Sequence, residues 1–245
     1  MSTWGLIHTN DFHDKLTTAA TEKLRDLVSG VSVPKLVLDA GDCVRAGNLG
    51  TTFGQEAIWD RMASVGYDAV TMGNRETHPL LSVVRGKLRG CPCPVLCANQ
   101  VAKKVGADLP FISSLITKRA GLTIGIIGVT IPMVTQRSKL VVAWDTYFRP
   151  PVDVALELAS EYRSKVDVLI ALTHIGIADD RRLAEQTALF DVIVSGHSHR
   201  VHEQPEIVNG IPILQAGSFG RFAGVAMFDR AVLLNYKLEA LVTSP

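Results

Sequence analysis

The chain has 245 residues, of which 47% are apolar, and a formal net charge of +1. That length is enough for one large domain with a well-buried core. The near-zero charge excludes an electrostatic footprint for nucleic acid or for a membrane surface, and no run of about 18 apolar residues exists to span a bilayer.

In chain order, Trp4–His8 is predicted as a first strand, directly after a start that lacks the charged head, apolar middle and small-residue cleavage site of a signal peptide. The expected location is therefore the cytoplasm. A helix over Asp14–Ser29 follows, with Leu16, Leu24, Leu27 and Val28 for its inward face and Gly30 as a stop. Lys35–Leu38 is a second strand, Gly54–Val65 a helix closed by Gly66, Asp68–Met72 a third strand, Leu80–Leu88 a short helix and Val95–Ala98 a fourth strand. Phe111–Lys118 and Leu122–Val129 flank Arg119-Ala-Gly121 as an antiparallel hairpin. The segment Ile131–Arg149 is predicted as loop. Helices are expected over Asp153–Ser164 and Asp179–Leu189, and strands over Val168–Leu172 and Val192–Ser195. From Ile207 onward short strands dominate (Ile213–Ala216, Gly224–Phe228, Ala231–Leu241). Apolar runs alternating with helical patterns indicate an α/β architecture. Two packed mixed sheets with helices outside, a four-layer αββα sandwich in a single domain over residues 1–245, accommodate both the alternating and the antiparallel parts. Four cysteines, Cys43, Cys91, Cys93 and Cys97, are too few and too clustered for a disulfide framework. The prolines and the strand-like Val95-Leu96 among the last three favour free thiols over a soft-metal site.

The chemistry-bearing residues fall at the ends of five of these strands. The first ends in Asp11 and His13, the second in Asp42, the third in Asn74, another in His174, and Val192–Ser195 in His197 and His199. Ligands of α/β sheets bind in the crevice beyond the carboxyl ends of the strands. Taken singly, Asp42 reads as a helix cap or turn former, His174 as a half-buried core histidine, and Asn74 after Gly73 as a turn. Seven such groups at one sheet edge have no common structural explanation, and burying them unpaired without a cation is costly.

Asp-x-His at 11–13, Gly-Asp at 41–42, Gly-Asn at 73–74, His174 and Gly-His-x-His at 196–199 resemble the calcineurin-like metallophosphoesterases in order and spacing. Ile7-His-Thr-Asn-Asp-Phe-His13, Leu172-Thr-His-Ile-Gly176 and Gln215-Ala-Gly-Ser-Phe-Gly220 look like the catalytic domain of the 5′-nucleotidase branch. The resemblance implies two divalent cations, one held by Asp11, His13 and His199, the other by Asn74, His174 and His197, with Asp42 bridging them. This mixture of oxygen and nitrogen donors suits Mn, Fe, Zn, Co or Ni. The reaction implied is hydrolysis of a phosphate ester or anhydride of a small phosphorylated substrate, such as a nucleotide, by a metal-held hydroxide between cations roughly 3.5–4 Å apart.

The sequence departs from that pattern in two places. The usual Gly-Asn-His-Glu reads Gly73-Asn-Arg-Glu76, and the Asp expected three residues after that His is His78. Arg75 is thus expected to clamp phosphoryl oxygens and His78 to supply the proton; the alternative pairs Arg75 with Glu76 or another surface acid. The second, nucleobase-holding domain usual in that branch is not expected here, so that substrate contacts come from loops such as Arg45–Phe53 and Ile131–Arg149, or from a second subunit of a homo-oligomer. Two readings compete with the phosphohydrolase: a metal-loaded but catalytically weak binding or regulatory protein, and a dinuclear hydrolase of a non-phosphate ester.

Overall fold

The computed structural model describes residues 2–242. Fourteen strands and five α-helices follow one another along them. The first part alternates: β1 (Thr3–Thr9), α1 (Thr18–Gly30), β2 (Lys35–Asp39), α2 (Ala57–Val65), β3 (Ala69–Thr71), α3 (Leu81–Lys87) and β4 (Val95–Leu96). A middle stretch of short strands follows, with β5 (Gln100–Ala102), β6 (Ser114–Arg119), β7 (Leu122–Thr130) and β8 (Thr146–Phe148). Alternation resumes with α4 (Pro151–Tyr162), β9 (Val168–His174), α5 (Ile177–Gln186) and β10 (Val192–Ser195), and the chain closes with β11 (Glu206–Val208), β12 (Ile211–Leu214), β13 (Phe222–Asp229) and β14 (Val232–Ala240).

The strands assemble into two six-stranded mixed sheets, ordered β14-β13-β1-β2-β3-β4 and β11-β12-β10-β9-β7-β6, plus the small β5-β8 pair. In the first sheet β1, β2, β3 and β4 run parallel and β13 pairs antiparallel to β1. In the second, β7, β9, β10 and β12 are parallel and β6 closes one edge as the antiparallel hairpin partner of β7. Strand periodicity divides the side chains between layers. Leu36 and Leu38 enter the core between the sheets, with Ile124, Ile126, Val168, Ile170, Leu172, Val192 and Val194 opposite them. Val37 faces the other way, among Leu24, Ile58, Trp59 and Met62 of the helices. Val154, Ala155, Leu183 and Ala184 cover the outer face of the second sheet. The order of layers is therefore helix, sheet, sheet, helix, as the apolar pattern predicts.

Three local expectations change. The first helix begins at Thr18 rather than Asp14, because Asp11, His13 and Asp14 all take left-handed backbone angles and Thr17 supplies the N-cap, its side chain accepting the N–H of Ala20. The segment predicted as loop over 131–149 holds a short 3-10 turn at Lys139–Ala143 and strand β8, which pairs antiparallel with β5. Strands of three residues carry too little alternation to be read locally. At the end of the chain β12 joins the second sheet and β13 crosses to the first, a choice of partner that no local pattern encodes. The four cysteines are free thiols, with Cys43 and Cys97 buried.

Candidate metal centre

The parallel strands of both sheets end at the same edge, and their loops converge there. Asp11 and His13 follow β1, Asp42 follows β2, Asn74 follows β3, His174 is the last residue of β9, and His197 and His199 follow β10. Five of these seven, Asp11, His13, Asp42, His197 and His199, have φ between 48° and 74°. Non-glycine residues adopt this region rarely, and such strain concentrates where the surrounding structure enforces a functional geometry. The loops also pass unusually close to one another. A Cβ on Gly73 would collide with the Asp42 carboxylate, and one on Gly196 would lie 2.5 Å from the Ala40 carbonyl and 2.8 Å from His174 Nδ1. Glycine at 73 lets the loops after β2 and β3 of the first sheet touch, and glycine at 196 lets the β10 loop of the second sheet touch the β2 loop of the first.

All seven expected residues are brought together. His199 Nε2 lies 3.1 Å and His13 Nε2 3.7 Å from Asp11 Oδ1. Asn74 Oδ1 lies 3.2 Å from His174 Nε2 and 3.0 Å from His197 Nδ1. Asp42 sits between these sets, with Oδ2 3.3 Å from His13 Nε2 and Oδ1 3.5 Å from His174 Nε2. Two groupings offer one ligand atom per residue within 4.8 Å: Asp11 with His13 and His199, and Asp11 with Asp42 and His174.

The donor set fits divalent cations. Asp11 Oδ1 and His13 Nε2 are buried without a hydrogen-bond partner, and a cation between them would satisfy both. The partners behind each ligand aim its lone pair inward. His174 Nδ1 donates to the Ala40 carbonyl at 2.6 Å, leaving Nε2 facing the Asp42 and Asn74 oxygens. Asn74 Nδ2 donates to Asn48 Oδ1 at 2.8 Å, which turns the amide oxygen toward the imidazoles. Asp11 Oδ2 accepts from Asn10 Nδ2 and from the backbone N–H of His197, each within 2.9 Å. Such outer partners commonly fix ligand orientation in metal sites. The electrostatics agree. Burial opposes charge at Asp42, but His174 and His13 outweigh it and hold the carboxyl well below the usual range. Burial likewise opposes a charged His174 ring, and Asp42 and Asp11 overcome it, pushing the ring up to about 10.

Arg75 meets the centre at its solvent side. Its N–H donates to Asp42 Oδ1 at 2.7 Å, its Nε lies 3.9 Å from Asp42 Oδ2, and its Nη1 donates to the Arg45 carbonyl at 3.0 Å. It is not paired with Glu76, which lies fully buried beneath the loops. His78 makes none of the contacts that join these seven residues. Its Nδ1 accepts the N–H of Leu80 at 3.1 Å, and the backbone of Leu49 engages the ring as well. A pocket of about 570 Å³ opens over the centre, lined by His13, Asp14, Lys15, Arg45, Arg75 and Phe219. A cleft of about 640 Å³ by Leu80 and Trp144 takes in none of the seven donors.

Sequence reasoning did not assign three supporting residues. Glu76 accepts four backbone N–H groups, from Asp42, Cys43, Val44 and Gly73. Lys87 donates to the carbonyls of Gly47, Arg75 and Thr77. Phe219 packs edge-on against His13 and His199, with centroid distances of 5.1 and 5.4 Å. Glu76 and Phe219 lie inside the Gly73-Asn-Arg-Glu76 and Gln215–Gly220 matches, which was their only signal; Lys87 had none.

The profile of the family described as calcineurin-like phosphoesterase matches residues 6–201. An uncharacterised metallophosphoesterase of Bacillus subtilis is 28% identical over 235 residues, covering 89% of this chain and 48% of its own length. The 5′-nucleotidase of Rattus norvegicus is 27% identical, over 89% of this chain and 45% of that protein. Among solved structures, a 5′-nucleotidase precursor from Thermus thermophilus superposes with a TM-score of 0.77 at 26% identity, covering 98% of this chain and 54% of that one. The chain spans about half the length of the curated relatives it matches.

Proposed function

The chain belongs to the calcineurin-like phosphoesterase family, and from that premise we propose that it hydrolyses a phosphate ester or anhydride of a small phosphorylated metabolite at a two-cation centre. The observation that carries this reading is Asp42, whose two carboxylate oxygens face two different donor sets, His13 on one side and His174 on the other. When bound, a pair of divalent cations activates water and neutralises charge on the entering and leaving oxygens of an in-line displacement at phosphorus.

Each residue has a separate task. Asp11, His13 and His199 would hold one cation, Asn74, His174 and His197 the other, and Asp42 would lie between them and offset their repulsion. Arg75 stands beside Asp42 on the pocket side. Its planar fork suits two parallel hydrogen bonds to the equatorial phosphoryl oxygens, where charge builds up in the transition state. Arginine stays protonated at any ordinary pH, so it stabilises charge and donates no proton to the leaving group. Phe219 packs the His13 and His199 rings and restricts their rotation. The relatives matched over the length of the chain include 5′-nucleotidases, which makes nucleoside phosphates the first substrates to assay.

The test is to measure bound metal in the purified protein and then assay monoesters, diesters, nucleotides and anhydrides beside Asp42→Ala. Two metals per chain with turnover abolished in the variant is the expected result. Fewer than one metal per chain, or equal turnover in the two proteins, would sink the proposal. Metal without turnover on any phosphorylated compound would turn the reading toward a metal-loaded binding protein.

A further inference from the structure

The pocket over the centre carries more positive charge than one phosphoryl group needs. Besides His13 and Phe219, its lining residues are Asp14, Lys15, Arg45 and Arg75. Asp14 is the acid among them, and it is already engaged: its Oδ1 accepts from Arg61 Nη1 at 3.0 Å. Glu56, the other carboxylate near Arg45, takes that residue's backbone N–H at 3.2 Å and leaves its guanidinium alone. Glu76 is enclosed by backbone N–H groups. Among the described residues, the side chains of Arg45 and Lys15 have no carboxylate or carbonyl partner. Arg75 is committed toward Asp42 and the Arg45 carbonyl. Two unpartnered cations therefore share a pocket with the residue assigned to the scissile phosphoryl group. Two cations facing one open pocket raise the local concentration of anions there, and the volume lies within the usual range for small-molecule sites.

The mechanism supplies an independent reason for a second anion. Arg75 stands in place of a proton donor, and His78 is turned to the backbone of Leu80. With an arginine at this position, a leaving group that needs no proton is favoured. Alkoxides depart poorly without one; a phosphate already holding its negative charge departs well. Charge and chemistry converge on the same substrate feature.

We propose that Arg45 and Lys15 form a subsite for a second phosphoryl group, bonded through an anhydride oxygen to the one that is hydrolysed. The proposal rests on the hydrolase reading above and narrows it to phosphoanhydrides. In the step, the oxygen of water bonds to the terminal phosphorus and the bridging P–O bond breaks. The bridging oxygen leaves with its electron pair as the organic phosphate held by Arg45 and Lys15, and the protons of water pass to the inorganic phosphate and to solvent. No oxidant, reductant or further reactant enters.

The experiment has a binding arm and a kinetic arm. In metal-free protein, calorimetry compares inorganic phosphate with methylenediphosphonate, a non-hydrolysable double anion. The diphosphonate is expected to bind at least ~10-fold more tightly, with charge-assisted contacts as the cause, and the double variant Arg45→Gln/Lys15→Gln is expected to erase most of that ratio. In metal-loaded enzyme, the kcat/KM ratio of a nucleoside diphosphate to its monophosphate should exceed one and fall about 10-fold in the same variant. Both substituted side chains are exposed, so folding is not at stake. Turnover of monophosphates with no preference for the diphosphate, together with a binding ratio that the double variant leaves alone, overturns the subsite and spares the hydrolase. Absence of turnover on every phosphorylated compound fails the hydrolase reading, and the metal-free ratio still decides the subsite.

Discussion

The two sheets contribute unlike halves to one centre. Loops of the first sheet bring Asp11, His13, Asp42 and Asn74, while loops of the second bring three histidines, His174, His197 and His199. Behind each half lies a fully buried carboxylate, and the two are held differently. Glu76 is gripped by backbone, through N–H groups of the loops after β2 and β3. Asp180 on α5 is gripped by side chains: it accepts the hydroxyls of Thr173 and Ser195, the residues just before His174 and Gly196. Gln215 continues that chain, donating to Ser195 Oγ and accepting from Ser198 and from the N–H of Arg200. A carboxylate served by main chain fixes the path of two loops. One served by hydroxyls orients side chains and keeps the freedom to hold a proton.

The largest test removes the residue on which both halves meet. Asp42→Ala should lower kcat/KM by more than about 10³-fold, the upper range for one preorganised electrostatic group, with bound metal falling in parallel by elemental analysis. Glu76→Ala comes next, because it strands four buried N–H groups at about 1–3 kcal/mol each. Urea unfolding should show a loss of at least about 4 kcal/mol. A loss under about 1 kcal/mol would mean that the backbone grip matters no more than an ordinary surface contact.

Asp180 should separate the second half from the first by its pH dependence. Burial pushes its carboxyl up to about 7, against the pull of Ser195 and Thr173. The folded value lies above the unfolded one, so this group's contribution is complete below the ordinary carboxylate range and is lost as pH rises through about 7. Between pH 4 and 8 the parent should lose up to roughly 4 kcal/mol that Asp180→Asn does not lose, read as diverging urea midpoints. Parallel curves would show that Asp180 stays ionised.

The smallest effects lie at the rim. Arg75→Ala should reduce kcat/KM about 10²-fold with metal content unchanged, and Arg75→Lys should recover only part of it, since a point charge replaces a fork. His78→Ala should stay within about twofold of the parent, because its ring serves the backbone of Leu80. A pH–rate profile that loses a limb in His78→Ala would restore the histidine as the acid.

The layers and the donor residues were legible for a shared reason. Leu36-Val-Leu38 and Val168–Leu172 are apolar runs whose ends are marked by polar residues, and strand and terminus are both local signals. Asp42 and His174 could therefore be placed at one edge before their neighbours were known. Glu76 was not legible in its role, since an acid beside an arginine reads as an exposed ion pair until the loops close over it. Lys87, at the end of a short helix, reads as a solvated charge; only the fold brings three carbonyls to its ammonium. His78 shows the converse: proximity in sequence to Asn74 and Arg75 did not place it among the residues lining the pocket, and its Nδ1 accepts the N–H of Leu80.

The sequence by itself determined the family, the αββα layering and the seven residues that meet at one edge, because strand periodicity and the residues that end strands are properties of short segments. Tertiary structure alone decided which oxygens and nitrogens face one another, which carboxylate is buried under which loop, and which cations share the pocket with His13. Those outcomes depend on the two sheets meeting at Gly196 and Ala40, and on loops more than 30 residues apart exchanging hydrogen bonds. Such contacts form only when the inter-sheet core has drawn the strand ends together.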